Sequence, residues 1–364
     1  MSDPAVLSER EQKILGIIET ARGKRAKFRD ERITMAHGAG GKATQSLIEG
    51  LLAPAFASET LDELADAATI SAAGSRLALT TDSYVVKPMR FPGGSIGELA
   101  VNGTVNDLAV SGARPLALSL SLILEEGLSA EDLRAEVEAI AHAARVAGVE
   151  IVTGDTKVVE RGHADGMYVC TTGVGVRDRR ANLSPRALRP GDRILLSGSI
   201  GEHGTAIMLA RNEFELDAEI ESDTRPLWPV VDALLDAVGP ELRCLRDATR
   251  GGVASVLNEL ARASSVAMIV REAEVPVRPD VAGAAEILGI DPMYVANEGK
   301  LVAFVAAAAA ERALEALRAV PGCEAAAQIG EVRTEPPGMV LVETSFGGKR
   351  VMDQLVGDPL PRIC

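Results

Sequence analysis

Hydrophobic positions along this chain form two kinds of segment: short runs of strand length and longer stretches with helical spacing. Turns rich in Gly, Asp and Pro part them. LALTTDSYVV (77–86), residues 116–124 and residues 167–176 read as strands, and VEIVTGDT reads as a buried strand that ends in polar groups. Residues 95–111 repeat apolar side chains at Leu99, Val101, Val105 and Leu108, a helical pattern interrupted by Asn102, Asn106 and Asp107. Residues 129–147 have an amphipathic helical pattern, with Ser129 at the N-cap and acidic residues in the first turn, where they complement the helix dipole. RITMAH is strand-like and runs into HGAGGK, after which residues 44–52 read as a helix.

The polar stretch RDRRANLSPRALRPGD (177–192), with Pro185 and Pro190, interrupts this pattern and marks a domain boundary. Four regions follow: a charged extension (1–31), an N-terminal domain (32–182), a C-terminal domain (183–350) and a tail (351–364). The second half opens with the strand DRILLSG and the turn SIGEHG, and helices are expected over 203–212 and 225–237. RDATRGG is a polar loop before a further helix over 252–263. Pro359 and Pro361 bar a stable helix from LVGDPLPRIC.

Composition narrows the class. A chain of 364 residues favours two domains, and 47% hydrophobic residues suffice for real cores. With only 3% aromatics, those cores must be built from Ala, Val, Leu and Ile. The net charge of −14 repels nucleic acid and anionic membranes, and equally nucleotide phosphates, so an ATP site here needs local cations. No apolar run has the length of a membrane span, and MSDPAVLSEREQKILG lacks the apolar core of a signal peptide. Cys170, Cys244, Cys323 and Cys364 are widely spaced and form no CxxC pair, which speaks against a disulfide framework and for a reducing cytoplasm.

Several elements end in carboxylates: Asp82, Asp107 and Asp155. Each alone suits a turn or cap, but together they could assemble a Mg²⁺ site, because hard cations take oxygen ligands. HGAGGKAT is not a Walker A loop, since Ala36 stands where its first Gly is required and Ala43 where its Ser/Thr is. It loosely fits the dinucleotide fingerprint; at the least, Gly38, Gly40, Gly41 and Lys42 let backbone N–H groups and an ammonium approach an anion. An ordinary strand–helix turn has the same composition. DATRGG puts Asp247 beside two glycines at a helix start, which suits phosphate or metal contact or an Asp-capped turn. Lys157 could neutralise phosphate and Glu160 could act as a base, although a surface ion pair would look the same. His37 and His163 suit phosphate contact or structure equally. Cys364 fits the usual cysteine role, a small buried hydrophobe, poorly: at the tip of a Pro-stiffened tail it packs nothing and is expected to move as a tethered substrate handle.

These motifs resemble one family. AHGAGGK, TTDSYVV, FPGGSIGELAVNGTVNDLAVSGA, LEEGL, VTGDTKVVERG, RDATRGGV, ANEGKL and the terminal PRIC occur in order, and the resemblance is to the HypE hydrogenase maturation factors, within the AIR-synthetase/selenophosphate-synthetase-like ATPases. It covers residues 33–364 and leaves the extension unassigned. It implies an α+β, PurM-like two-domain fold, with an N-terminal antiparallel sheet backed by helices, an α+β C-terminal domain and a flexible tail. It displaces a doubly wound sheet as the expected fold. It also implies a homodimer, ATP and Mg²⁺ as cofactors, HypF as the carbamoyl donor and the HypC–HypD complex as cyanide acceptor. The activity implied is ATP-dependent dehydration of an S-carboxamide on Cys364 to an S-cyanate. ATP is then expected at Gly38, Gly40, Gly41, Lys42, Asp82, Asn106, Asp107, Asp155 and Thr156, the metal on Asp82, Asp107, Asp155 and Asp247, with Glu160 as base and Lys157 orienting the reacting group. A selenophosphate synthetase would carry a Cys in the glycine loop, and HGAGGK has none. A non-enzymatic carrier would leave the aspartates structural and would not turn over ATP.

Overall fold

The computed structural model describes residues 28–56, 58, 60–61, 64–72, 74–211, 219–355 and 362–364. Most of the charged extension lies outside the described residues, as do the tail prolines.

The first sheet is built from β1 (Ala68–Ala72), β2 (Ser75–Tyr84), β5 (Ala113–Glu125), β6 (Glu150–Val159) and β7 (Met167–Arg177), in the order β1–β2–β7–β5–β6; β3 (Arg90–Phe91) and β4 (Gly94–Ser95) form a separate ribbon. Neighbours are antiparallel except β5 and β6, which are parallel. The antiparallel sheet expected from the resemblance is present, with one parallel pair at its edge, because the chain leaves β5 through a helix long enough to carry it back across the sheet.

Helix α1 spans Lys42–Leu47 and passes into a π-helical turn at Ile48–Leu52. Helix α2 (Ile96–Val110) is buried at every position except Glu98 and Asp107, so Asn102, Thr104 and Asn106 are buried with its apolar residues. It packs on β2, β5 and β7 and also reaches the second domain, where Ala109 and Val110 join its core. Helix α3 (Ala130–Ala147) is the amphipathic crossover; Ser129 caps it by accepting the Asp132 N–H at 3.0 Å.

Both α2 and α3 lie on one face of the sheet. Among the described residues nothing covers the outer face: Ile70 is 43% exposed, Leu79 42% and Val176 37%. The β6 segment, expected to be buried, is an exposed edge strand instead. Its apolar run gave the same signal a buried strand would give. RITMAH likewise is not a strand: Met35–Gly38 is a 3-10 turn closed by the Thr34 N–H donating to His37 Nδ1 at 3.0 Å.

The second sheet comprises β8 (Arg193–Leu196), β9 (Leu242–Asp247), β10 (Ala267–Arg271), β11 (Leu301–Val305), β12 (Ala327–Arg333), β13 (Val340–Glu343) and β14 (Lys349–Met352), ordered β14–β13–β10–β12–β8–β11–β9. Helices α4 (Glu202–Ala210), α5 (Trp228–Val238), α6 (Gly252–Ala263), α7 (Pro279–Leu288) and α8 (Ala310–Arg318) accompany it. Strand alternation feeds two cores. Ile194, Leu196, Val302 and Phe304 pack with α6, whereas Leu195, Leu301, Ala303 and Val305 pack with α5 and α8. Aliphatic residues dominate both, as the low aromatic content requires.

Candidate functional site

Five carboxyl groups converge where β2, α2 and β9 meet. Asp66 precedes β1, Asp82 lies on the helix-facing side of β2, Asp107 is a half-buried position of α2, Asp247 ends β9 and Glu298 leads into β11. Carboxylate oxygens of Asp66, Asp107 and Asp247 all lie within 4.8 Å of one another. Asp107 accepts from Thr80 Oγ1 at 2.8 Å and Asp82 from Thr104 Oγ1 at 3.3 Å, while Asp82 and Asp107 share a hydrogen bond.

Burial is the main influence on these groups, and their mutual repulsion adds to it. It pushes Asp66 up to about 8, against the pull of Arg246, whose Nε is 2.8 Å from its carboxylate. Asp247 rises to about 6, also by burial and also opposed by Arg246. Burial and then the Asp82 charge hold Asp107 well above the carboxylate range; burial and then Asp247 do the same to Glu298. Such a set of oxygen donors, too close to stay ionised together, fits a hard divalent cation.

The glycine loop reaches this cluster through Arg250. One Arg250 NH group donates to the Gly38 carbonyl at 3.1 Å. Gly40 has φ +77°, and a Cβ there would lie 2.9 Å from Arg250 Cβ, so only glycine allows the approach. Lys42 turns elsewhere: its Nζ pairs with Asp353 at 2.8 Å and its N–H bonds the Leu355 carbonyl at 2.9 Å.

The chain end docks beside the cluster, which corrects the expectation that it packs nothing. Val85 and Lys87 N–H groups donate to the Cys364 and Arg362 carbonyls at 3.1 and 3.3 Å, extending the end of β2. Arg362 pairs with Asp165 at 2.6 Å and stands 5.9 Å from the Tyr168 ring centre. Ile363 is buried among Tyr84, Val86, Phe91 and Ile96. Negative charge at Cys364 is the first cause raising the Arg250 pKa, so the terminal residue and Arg250 are electrostatic neighbours.

Of the residues expected from sequence, Asp82, Asp107, Asp247, the glycine loop and Cys364 therefore come together. Asp155, Thr156, Lys157 and Glu160 do not join them within this chain. Asp82, Thr171, Leu120 and Gly154 form one row across the sheet, so Asp155, next to Gly154, points to the opposite, bare face. There Asp155 pairs with Lys157 at 2.6 Å, and the lysine and the Thr156 N–H lower its pKa. Glu160 is exposed beyond the end of β6. Asn106 is engaged by backbone: it donates to the Arg225 and Glu298 carbonyls and accepts from the Leu227 N–H. His37 pairs with Asp30, and His163 lies in the β6–β7 turn.

Sequence reasoning missed Asp66 and Glu298, and it took Arg250 only as the base that DATRGG sets beside its acid and hydroxyl. Glu298 lies in ANEGK and Arg250 in DATRGG, polar loops that sequence did single out; nothing around Asp66 distinguishes it from an ordinary loop acid. No described helix is long and apolar enough to cross a membrane.

Residues 64–177 match the AIR synthase related protein N-terminal domain, and residues 189–342 its C-terminal domain. The carbamoyl dehydratase HypE of Azotobacter vinelandii is 52% identical over 340 residues, covering 93% of this chain and 99% of that protein. A crystal structure of the hydrogenase maturation protein HypE in complex with ATP is 45% identical with a TM-score of 0.77, covering 92% of this chain and 100% of that one. A HypE–HypF complex gives a TM-score of 0.81 at 45% identity, covering 85% of this chain and 99% of that one.

Proposed function

Since the chain belongs to the HypE carbamoyl dehydratases of the AIR synthase related family, we propose that it dehydrates an S-carboxamide on its own Cys364 to an S-cyanate at the expense of ATP. The product supplies the cyanide ligand for the iron of [NiFe]-hydrogenase. The observation that carries this reading is the docking of Cys364 next to Arg250, beside the buried carboxylates.

The chemistry asks for a better leaving group than hydroxide. The carboxamide oxygen attacks the γ-phosphorus of ATP, ADP leaves, and the nitrogen gives up one proton. Loss of phosphate with the second N–H proton then forms the C≡N bond, so the oxygen of the lost water ends in phosphate. Asp66, Asp82, Asp107 and Asp247 would hold Mg²⁺, which supplies charge neutralisation for the triphosphate. Arg250 offsets negative charge between the nucleotide and the chain end. Gly38, Gly40 and Gly41 bring main-chain N–H groups near the phosphates, and release of Lys42 from Asp353 would let it join them.

Glu160 is the proposed base and Lys157 the residue that orients the carboxamide or phosphate. Both lie near the bare face of the first sheet, as does Asp155, so we assign these three to the site of a second copy in a homodimer, with Thr156 beside them on the exposed edge strand. The exposed apolar strip of Ile70, Leu79 and Val176 supports that pairing. HypF as the carbamoyl donor is supported by the related HypE–HypF complex. The HypC–HypD complex is the proposed cyanide acceptor, and a reducing cytoplasm the proposed setting, because the thiol must stay available.

Carbamoylated protein with Mg-ATP is expected to lose the mass of one water from its C-terminal peptide. Cys364→Ala abolishes the modification while ATP binding persists. Wild-type protein that turns over no ATP and keeps its mass would defeat the dehydratase reading and favour a passive carrier.

A further inference from the structure

The carbonyl of Ile363 meets a histidine that stands outside the carboxylate cluster. His203, in α4, is wholly buried; its Nε2 is 2.7 Å from the Ile363 oxygen and its Nδ1 is 2.7 Å from Ser222 Oγ. A carbonyl only accepts, so Nε2 must carry the proton, and Nδ1 then accepts from the Ser222 hydroxyl. Ser222 Oγ in turn accepts the Thr224 N–H at 3.2 Å. The relay thus runs in one direction, from the Thr224 amide through Ser222 and His203 to the chain end. Burial holds the imidazole below its ordinary pKa, opposed by the Asp223 charge and by the bond to Ile363. The Phe91 ring, perpendicular to it with centroids 5.6 Å apart, helps fix its plane.

The other polar contacts of the chain end are of two kinds. The bonds from Val85 and Lys87 are main-chain strand bonds. The rest come from long, part-buried side chains: Arg362 reaches Asp165 and the Val85 carbonyl, and Arg211 donates to the Arg362 carbonyl at 2.8 Å. The His203 N–H comes from a wholly buried ring, so a displaced chain end leaves this donor unpaired out of reach of water. We propose that His203 is a positioning residue for the reaction: by holding the Ile363 carbonyl it sets where Cys364, one bond further on, presents its group, without touching that group itself. The inference rests on the dehydratase reading of Cys364.

The test compares His203→Leu, which removes the donor, His203→Gln, which restores an N–H, and Ser222→Ala, which frees the ring to move its proton to Nδ1. In unmodified protein, iodoacetamide labelling of Cys364, followed on the C-terminal peptide by mass spectrometry, should be about tenfold faster in His203→Leu than in wild type. Ser222→Ala should move the same way, and His203→Gln should label near the wild-type rate. In carbamoylated protein with Mg-ATP, water loss should slow about tenfold in His203→Leu with ATP affinity unchanged, and recover in His203→Gln. If His203→Leu does not fold, Ser222→Ala carries both measurements. Labelling and water loss at wild-type rates in these variants overturn the positioning role. Absence of water loss from wild-type protein overturns instead the reading on which it rests, and the labelling rates still report whether His203 holds the chain end.

Discussion

Asp66 and Asp247 have carboxyl pKa values of about 8 and about 6, against an ordinary 3.8, and Asp107 lies well above the ordinary range too. A carboxyl whose folded pKa is raised binds its proton more tightly in the native state. Its contribution is therefore fully present below pH 3.8 and is lost as pH rises through the folded value. Without divalent cation, the melting temperature should fall between pH 5 and pH 8, roughly the span of these shifts, and Mg-ATP should flatten that slope. Asp107→Asn keeps an acceptor for Thr80 and removes one charge from the cluster. At pH 8 without Mg²⁺ it should melt roughly 2–4 °C higher, about 1 kcal/mol, while its Mg-ATP use weakens. A lower melting temperature for Asp107→Asn would contradict the repulsion. Asp82, Asp107 and Asp247 were legible in sequence because each breaks an apolar pattern or sits among glycines. Asp66 was not, since a loop acid looks alike whether it faces water or three other carboxyls.

At the level of elements, α2 explains its own odd sequence. Asn102 and Asn106, which interrupt its apolar spacing, reach Thr224 and the 225–227 and 298 backbone, so they tie the two domains together. Gly103 lets the helix close on β2: a Cβ there would lie 2.2 Å from the Tyr84 hydroxyl oxygen. Gly103→Ala should cost about 1–3 kcal/mol through overpacking, read as a lower melting temperature, and an unchanged value would show that Tyr84 yields freely. Most elements were visible from spacing, α3 most clearly, because its amphipathic pattern and its Ser129 cap agree. RITMAH and VEIVTGDT misled for one reason. A short apolar run records that a segment avoids water, and says nothing of whether a sheet, a helix or a second molecule covers it.

On the scale of the whole molecule, the two sheets differ in how they are covered. The second is packed on both faces; the first has helices on one face and an apolar strip on the other, where Leu77 pairs with Ile70 and Val176, and Leu79 with Val174. An exposed strip of this kind marks an interaction surface. Leu79→Asp should convert a dimer to a monomer in light scattering with little change in far-UV circular dichroism, and a wild-type monomer would remove the pairing. Alternation along β2 and β6 put Asp82 and Asp155 on opposite faces, a relation set by strand order, which no local reading of sequence contains.

With Lys157 assigned to the site of a second copy, as proposed, that opposition would give the protein a sensitivity to its own abundance. An enzyme whose reacting groups all face one way keeps its turnover per molecule on dilution. Here Asp82 faces inward and Lys157 lies on the outer face, so the proposed site, which uses both, would be shared between two molecules. Turnover per molecule should then fall once the protein is diluted below its self-association constant, which ties the rate of maturation to the amount of this one protein.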